Sequence, residues 1–158
     1  MGEVSVQPTG KEGKYLGFVL AGEEYGIEIL KVREIIGMMD ITPLPQSPHY
    51  VKGVINLRGK VIPVVDLRLK FGLEASEYHD RTCIIVVEVS GASGPVLMGI
   101  VVDTVSEVMS VEASEVEEPP NLGSLDGSHI MALAKLRGGV KILLDIDRVM
   151  GIRGASWA

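Results

Sequence analysis

From about residue 14 to residue 151 the chain reads as short apolar runs broken by turn residues, not as long stretches of helical period. Residues 15–21, 34–38, 53–57, 61–65, 83–89, 96–102, 105–111, 130–136 and 140–144 are of strand length and rich in Val, Ile and Leu. Gly22-Glu23-Glu24 marks a turn before the short run Tyr25-Gly26-Ile27. Turn clusters at this spacing predict an all-β barrel or sandwich.

Short helices interrupt the strands. Asp66 precedes Leu67-Arg68-Leu69-Lys70-Phe71 and Gly72 follows; Asp145 precedes Ile146-Asp147-Arg148-Val149-Met150 and Gly151 follows. An Asp carboxylate accepts from free first-turn amides, and Gly takes the left-handed conformation that ends a helix. A third short helix is expected at residues 48–51. Residues 28–31 predict one helical turn leading into a strand that holds Val32, Glu34 and Ile36 on one face.

The pattern repeats. Leu57-Arg58-Gly59-Lys60-Val61-Ile62-Pro63-Val64-Val65-Asp66 recurs, 79 positions on (136 − 57), as Leu136-Arg137-Gly138-Gly139-Val140-Lys141-Ile142-Leu143-Leu144-Asp145. Upstream, residues 26–35 resemble residues 99–108, 73 positions on (99 − 26). Two echoes in one order predict duplication of a five-stranded unit, and a unit that small buries too little surface to stand alone. The fold class predicted is mainly β: two five-stranded barrels packed together, the first at about 14–75 and the second at about 81–151, with strand exchange between them left open. Residues 1–13 and 152–158 are expected to be tails, with the role of Trp157 undecided.

Charge and composition narrow the function. Net charge is −6 with pI about 5.1, and aromatics are 4%. Phosphate backbones repel such a chain and base-stacking platforms are scarce, so nucleic acid is a poor partner. No apolar run approaches membrane-spanning length, and the first residues lack the pattern of a secretory signal, so a cytoplasmic chain is expected. One cysteine, Cys83, permits no internal disulfide, and its apolar run marks it as a buried small hydrophobe.

Chemistry-bearing motifs are sparse. His49, His79 and His129 stand in turns or loops without metal-ligand spacing, and neither a Walker loop nor a GxGxxG after a strand is present. Asp66 and Asp145 are explained by capping. Arg58-Gly59 predicts a hairpin tip that projects Arg58 into solvent, where a partner's carboxylate or a neighbouring Glu34 could meet it. Pro63 cannot donate to a ladder, so its strand is an edge there or carries a bulge. Residues 112–127 read as a long polar loop that could present Leu122.

These residues carry a resemblance. Residues 24–35, 53–59, 63–68 and 99–108 resemble the CheW family of chemotaxis coupling proteins, in collinear order over about 14–151. The resemblance implies two SH3-like barrels, no catalysis and no cofactor. It implies a bridge between the cytoplasmic tips of chemoreceptors and the regulatory domain of the histidine kinase CheA, made by a chain that is a monomer in isolation and does not insert in membrane. Receptor contact is implied at Val32, Glu34, Asn56 and Arg58, and kinase contact at Ile41, Leu44, Leu57, Val61 and Ile62. An array-forming contact is implied at Glu117, Asn121 and Leu122, although the family often places a basic residue and an aromatic where Glu117 and Leu122 stand. The alternative is a CheW-like scaffold of a non-flagellar chemosensory system.

Overall fold

Period-two patterning leaves each strand one face to bury, and the fold follows from how those faces find cover. The computed structural model describes residues 10–119 and 129–151. Its strands are β1 (Gly13–Leu20), β2 (Glu23–Glu28), β3 (Val32–Gly37), β4 (Val51–Leu57), β5 (Lys60–Asp66), β6 (Cys83–Gly91), β7 (Gly94–Val102), β8 (Thr104–Val111), β9 (Val116–Glu117), β10 (Ile130–Leu136) and β11 (Gly139–Leu144). Helices α1 (Leu67–Lys70) and α2 (Ile146–Met150) follow β5 and β11. Asp66 and Asp145 cap them, accepting from the amides of Leu69 and Arg148. The turn before β3 is a 3-10 turn, Ile29–Lys31. Residues 48–51 form a turn and not a helix: Val51 donates to the Pro48 carbonyl at 3.0 Å and at once enters the β4 ladder. Of the segment expected to be a loop at 112–127, the described residues begin with regular structure: Glu112 and Glu115 form a reciprocal capping box and β9 then pairs with β10.

One sheet has six strands in the order β8-β1-β2-β11-β10-β9, the other five in the order β3-β6-β7-β5-β4. Neither half of the chain builds its own sheet. The β1–β2 hairpin completes the sheet of β8 to β11, and the β6–β7 hairpin completes that of β3 to β5. A division into one barrel at 14–75 and another at 81–151 therefore does not describe the sheets; the halves exchange their leading hairpins. Each exchanged hairpin joins by a parallel pairing. Gly26 of β2 lies opposite Leu143 of β11, and Gly99 of β7 lies opposite Val64 of β5.

Both glycines are required by space. A Cβ on Gly26 would stand 2.8 Å from Met109 Cε and 3.1 Å from Leu143 Cδ2, and one on Gly99 would stand 2.8 Å from Ile84 Cγ2. Irregularities are duplicated as well. The register shift at Val51/Gly53 between β4 and β5 recurs at Ile130/Ala132 between β10 and β11. Pro63 sits one residue before β5 begins to pair with β7, so its missing N–H interrupts no inner ladder.

Three apolar clusters follow from this layering. Phe18, Leu20 and Ile27 from the six-stranded sheet meet Ile85, Val87 and Ile100 from the five-stranded sheet, with Leu67 and Ile146 of the helices between. On the far face of the six-stranded sheet lie Tyr15, Met109, Val111 and Leu143. On the far face of the other lie Ile55, Ile62, Val64, Ile84 and Val86. Among the described residues no second layer covers those far faces, and each sheet curls on itself, in SH3-like fashion, to bury them. Among the described residues the edge strands β3 and β4 do not pair with each other, nor do β8 and β9, so each curl is a half-open barrel.

Two ion-pair clamps repeat the duplication with their signs reversed. Arg68 of α1 donates through Nε and Nη2 to Asp103, at 2.8 and 2.7 Å, and Asp103 also accepts from the Ala21 amide at 2.8 Å. At the related corner Lys31 donates to Asp147 of α2 at 2.9 Å, and Asp147 accepts from the Ser90 amide at 2.9 Å. Arg68 and Asp147 are equivalent positions in the repeat, so the helix supplies the cation at one corner and the anion at the other. The segment joining the halves is pinned by Tyr78, whose hydroxyl donates to the buried Asp66 at 2.7 Å.

Candidate functional site

The site begins with a two-residue turn. Leu57 and Lys60 are the last pair of the β4–β5 hairpin, and Arg58 and Gly59 between them have φ of 53° and 89°. Positive φ at both central residues makes this a type I′ turn, the type whose twist matches flanking strands. The sequence predicts a left-handed residue only at Gly59; Arg58 is left-handed too. Asn56 braces the turn by accepting from the Gly59 amide through Oδ1 at 2.7 Å.

The turn aims Arg58 across the open end of the five-stranded sheet at Glu34 of β3. Its Nη1 donates to Glu34 Oε2 at 3.2 Å and its Nη2 donates to Oε1. This two-pronged geometry is the strong form of a carboxylate–guanidinium contact. The Arg58 hydrogen bond holds the Glu34 carboxyl below its ordinary value, outweighing burial and aided by the Arg58 charge. Beside it Arg33 donates to Glu88 through Nε at 2.9 Å and through Nη2.

Between the two ion pairs lies a groove of about 510 Å³. Leu57, Ile62, Val86, Val96 and Leu97 supply its apolar lining, and Lys60 stands at its rim. Glu34, Arg58, Leu57 and Ile62 thus meet at one mouth, although the family resemblance divides them between a receptor contact and a kinase contact. Ile62 is 1% exposed and acts from beneath as floor, while its neighbour Val61 is 69% exposed and does not line the groove. Ile41 is half-buried against the same cluster and Leu44 is exposed.

Val32 does not join them. A bulge between Val32 and Glu34 turns the strand, so Val32 packs half-buried on the inter-sheet cluster while Ile36 packs on the far face. The single face expected for Val32, Glu34 and Ile36 is therefore broken. Glu117 lies on β9, an edge strand of the six-stranded sheet, paired with Lys135 at 3.0 Å. Asn121, Leu122 and Trp157 fall outside the described residues.

Sequence reasoning missed Arg33, Glu88, Val86, Val96 and Leu97. The last four sit on the β6–β7 hairpin, which belongs to the second half of the chain and reaches this mouth only through the exchange. The one signal available was the echo of Gly26 in Gly99, which marks where each hairpin joins.

Cys83 is half-buried, and burial pushes its thiol above the ordinary value despite a backbone contact with Val105 that lowers it. Among the described residues no group of three or more His, Cys, Asp or Glu side chains could hold a metal ion, and no helix is long and apolar enough to cross a membrane.

A duplicated, hairpin-exchanged SH3-like β scaffold with an ion-flanked apolar groove belongs to the class of protein-docking modules, whose chemistry is surface recognition. The CheW-like domain model matches residues 14–153. The chain is 38% identical over 145 residues to the chemotaxis protein CheW of Klebsiella aerogenes, covering 91% of this chain and 84% of that protein. It is 34% identical over 135 residues to the chemotaxis protein CheW of Rhizobium meliloti, covering 85% and 84%. The crystal structure of the scaffolding protein TtCheW from Thermoanaerobacter tengcongensis superposes with a TM-score of 0.78 at 31% identity, over 90% of this chain and 95% of that one. The chain belongs to the CheW-like domain family, and its relatives are chemotaxis scaffold proteins.

Proposed function

We propose that this chain is a non-enzymatic cytoplasmic adaptor that couples the cytoplasmic tips of chemoreceptors to the regulatory domain of the histidine kinase CheA. The observation that carries the reading is the convergence at one mouth. Glu34 and Arg58, assigned by resemblance to the receptor, share a groove with Leu57 and Ile62, assigned to the kinase. Two partners docked there would lie edge to edge, which is what an adaptor must achieve to let one partner bias the other.

The physics is that of recognition. An apolar floor ringed by charge favours burial of a partner's apolar side chains, while the fixed Arg58–Glu34 pair supplies orientation. Receptor helices would place an apolar stripe against this region and the adjoining inter-sheet surface that holds Val32. Pairwise binding of the purified chain to a receptor cytoplasmic fragment, and separately to the kinase regulatory domain, tests the reading. Saturable binding to both is expected; failure to bind either one overturns it.

A further inference from the structure

The repeat that matches residue 57 with residue 136 continues past the two helices. Gly72 and Gly151 both stand in the left-handed region, with φ of 77° and 57°, so the chain leaves α1 and α2 in the same way. Beyond Gly72 the linker between the halves is anchored at three points. Leu73 packs on the inter-sheet cluster, and its amide donates to the Arg68 carbonyl at 2.8 Å. The Glu74 carbonyl accepts from Arg68 Nη1 at 3.1 Å, and the Glu74 carboxylate adds its charge beside the same guanidinium. Tyr78 donates its hydroxyl to the capping Asp66 at 2.7 Å.

The sequence after Gly151 carries three matching groups at the same spacing. Ile152 corresponds to Leu73, Arg153 to Glu74 and Trp157 to Tyr78. Trp157 stands six residues beyond Gly151 (157 − 151), as Tyr78 stands six beyond Gly72 (78 − 72). At the second point the charge is inverted, and so is its partner, because Asp147 stands where Arg68 does in the other half. An arginine facing an aspartate keeps the attraction of a glutamate facing an arginine. At the third point the donor is kept, an indole N–H in place of a phenolic O–H. Its acceptor is open. Asp66 is buried, whereas Asp145 is half-buried. Among the described residues Asp145 Oδ2 accepts no hydrogen bond, and Arg148 Nε stands 3.7 Å from it. Lys52, whose Nζ lies 5.9 Å from the Tyr78 ring, corresponds to the half-buried Met131. A thioether is a favourable neighbour for an indole.

We propose that residues 152–158 close over α2 as a strap, with Ile152 on the inter-sheet cluster, Arg153 on Asp147, and the Trp157 ring on Met131 with its N–H on Asp145. The occupant of this surface is thus a segment of the chain itself. Its reach suffices, because the linker spans the equivalent distance with the same number of residues. Such a strap ties α2 to β10 and holds the Lys31–Asp147 corner from outside, as the linker holds the Arg68–Asp103 corner. It does not depend on the adaptor reading.

Trp157 is the single tryptophan, so the fluorescence of the full chain reports on it alone. Its emission maximum and its quenching by acrylamide are compared in buffer and in unfolding urea. A docked ring is expected to emit at shorter wavelength in buffer and to be quenched several-fold less than in urea. Asp145→Asn keeps a residue that caps as well as Asp but turns the open acceptor into a donor. It is expected to raise quenching toward the unfolded level while circular dichroism stays unchanged. Arg153→Glu sets like charges together at Asp147 and is expected to do the same. Quenching of the unmodified chain in buffer equal to that in urea overturns the proposal. Protection that survives in either folded variant overturns it too, since the ring then docks elsewhere. So does protection that grows with protein concentration, which marks a second copy as the cover. Should Asp145→Asn not fold, Arg153→Glu decides alone, because it alters no residue of a strand or helix.

Discussion

Arg58 and Glu34 are 24 residues apart in sequence and face each other across the open end of one sheet, joined by two hydrogen bonds. The arginine reaches that position because its own backbone is left-handed. A residue with a Cβ normally avoids this region, while Asn tolerates it. The pair is solvent-accessible, so its worth lies in presenting a fixed charge pattern and not in holding the fold.

Turn geometry and recognition can therefore be separated at this position. Arg58→Asn should keep the hairpin and the melting temperature, since Asn accepts positive φ, yet lose receptor binding because the guanidinium is gone. Arg58→Ala should lose the binding as well. Melting curves beside binding isotherms for a receptor fragment check both, and a folded Arg58→Asn variant with wild-type affinity would show that Arg58 is only a turn residue.

Val32 behaves differently. It packs half-buried on the inter-sheet cluster, so Val32→Ala removes core contacts and should cost about 1–2 kcal/mol in urea unfolding. A stability change below about 0.5 kcal/mol would contradict that placement.

Close strand approach makes another prediction. Gly26→Ala presses a methyl group against the flexible end of Met109 and Gly99→Ala presses one against the stiff, β-branched Ile84, and each should destabilise by about 1–3 kcal/mol. Gly53→Ala should be worse, because its Cβ would lie 2.0 Å from the Thr42 backbone oxygen, at a φ of 140°. Urea midpoints for the three variants should place Gly53→Ala lowest.

Acid should loosen the two clamps. The Arg68 hydrogen bond holds the Asp103 carboxyl below its ordinary value, outweighing burial. Burial pushes Asp147 up, but Lys31 and Ser90 together bring it below its ordinary value. A carboxyl depressed in the folded state stabilises the protein above its unfolded value, and that contribution is lost as pH falls through the folded value. Stability should therefore fall from about pH 5 downward, and Asp103→Asn should show a shallower decline. Parallel slopes for the variant and the unmodified chain would contradict the assignment.

Much of this architecture was legible in the residues. The strand runs, the two Asp-capped helices and the duplicated hairpin tips are local features, written in period-two patterning and in Asp and Gly placed at helix ends. The pairing of Glu34 with Arg58 could be anticipated from the same signals. Hairpin exchange could not be settled. Leu16, Phe18 and Leu20 satisfy the same alternation whether β1 pairs within its own half or with β8, and local patterning carries no information on which partner is met. For the same reason the groove was only half visible: Leu57 and Ile62 come from the hairpin that defines it, whereas Val86 and Leu97 arrive from the exchanged one. The bulge that separates Val32 from Glu34 is likewise a property of the β3–β6 register and not of β3 alone.

Sedimentation velocity on a mixture of a receptor cytoplasmic fragment and the kinase regulatory domain, run with and without this chain, addresses the coupling role most directly. A co-sedimenting species containing all three proteins should form only when the chain is present, and should disappear with Arg58→Ala. Separate binary complexes that never combine, or a receptor–kinase species that forms equally well without the chain, would contradict the account.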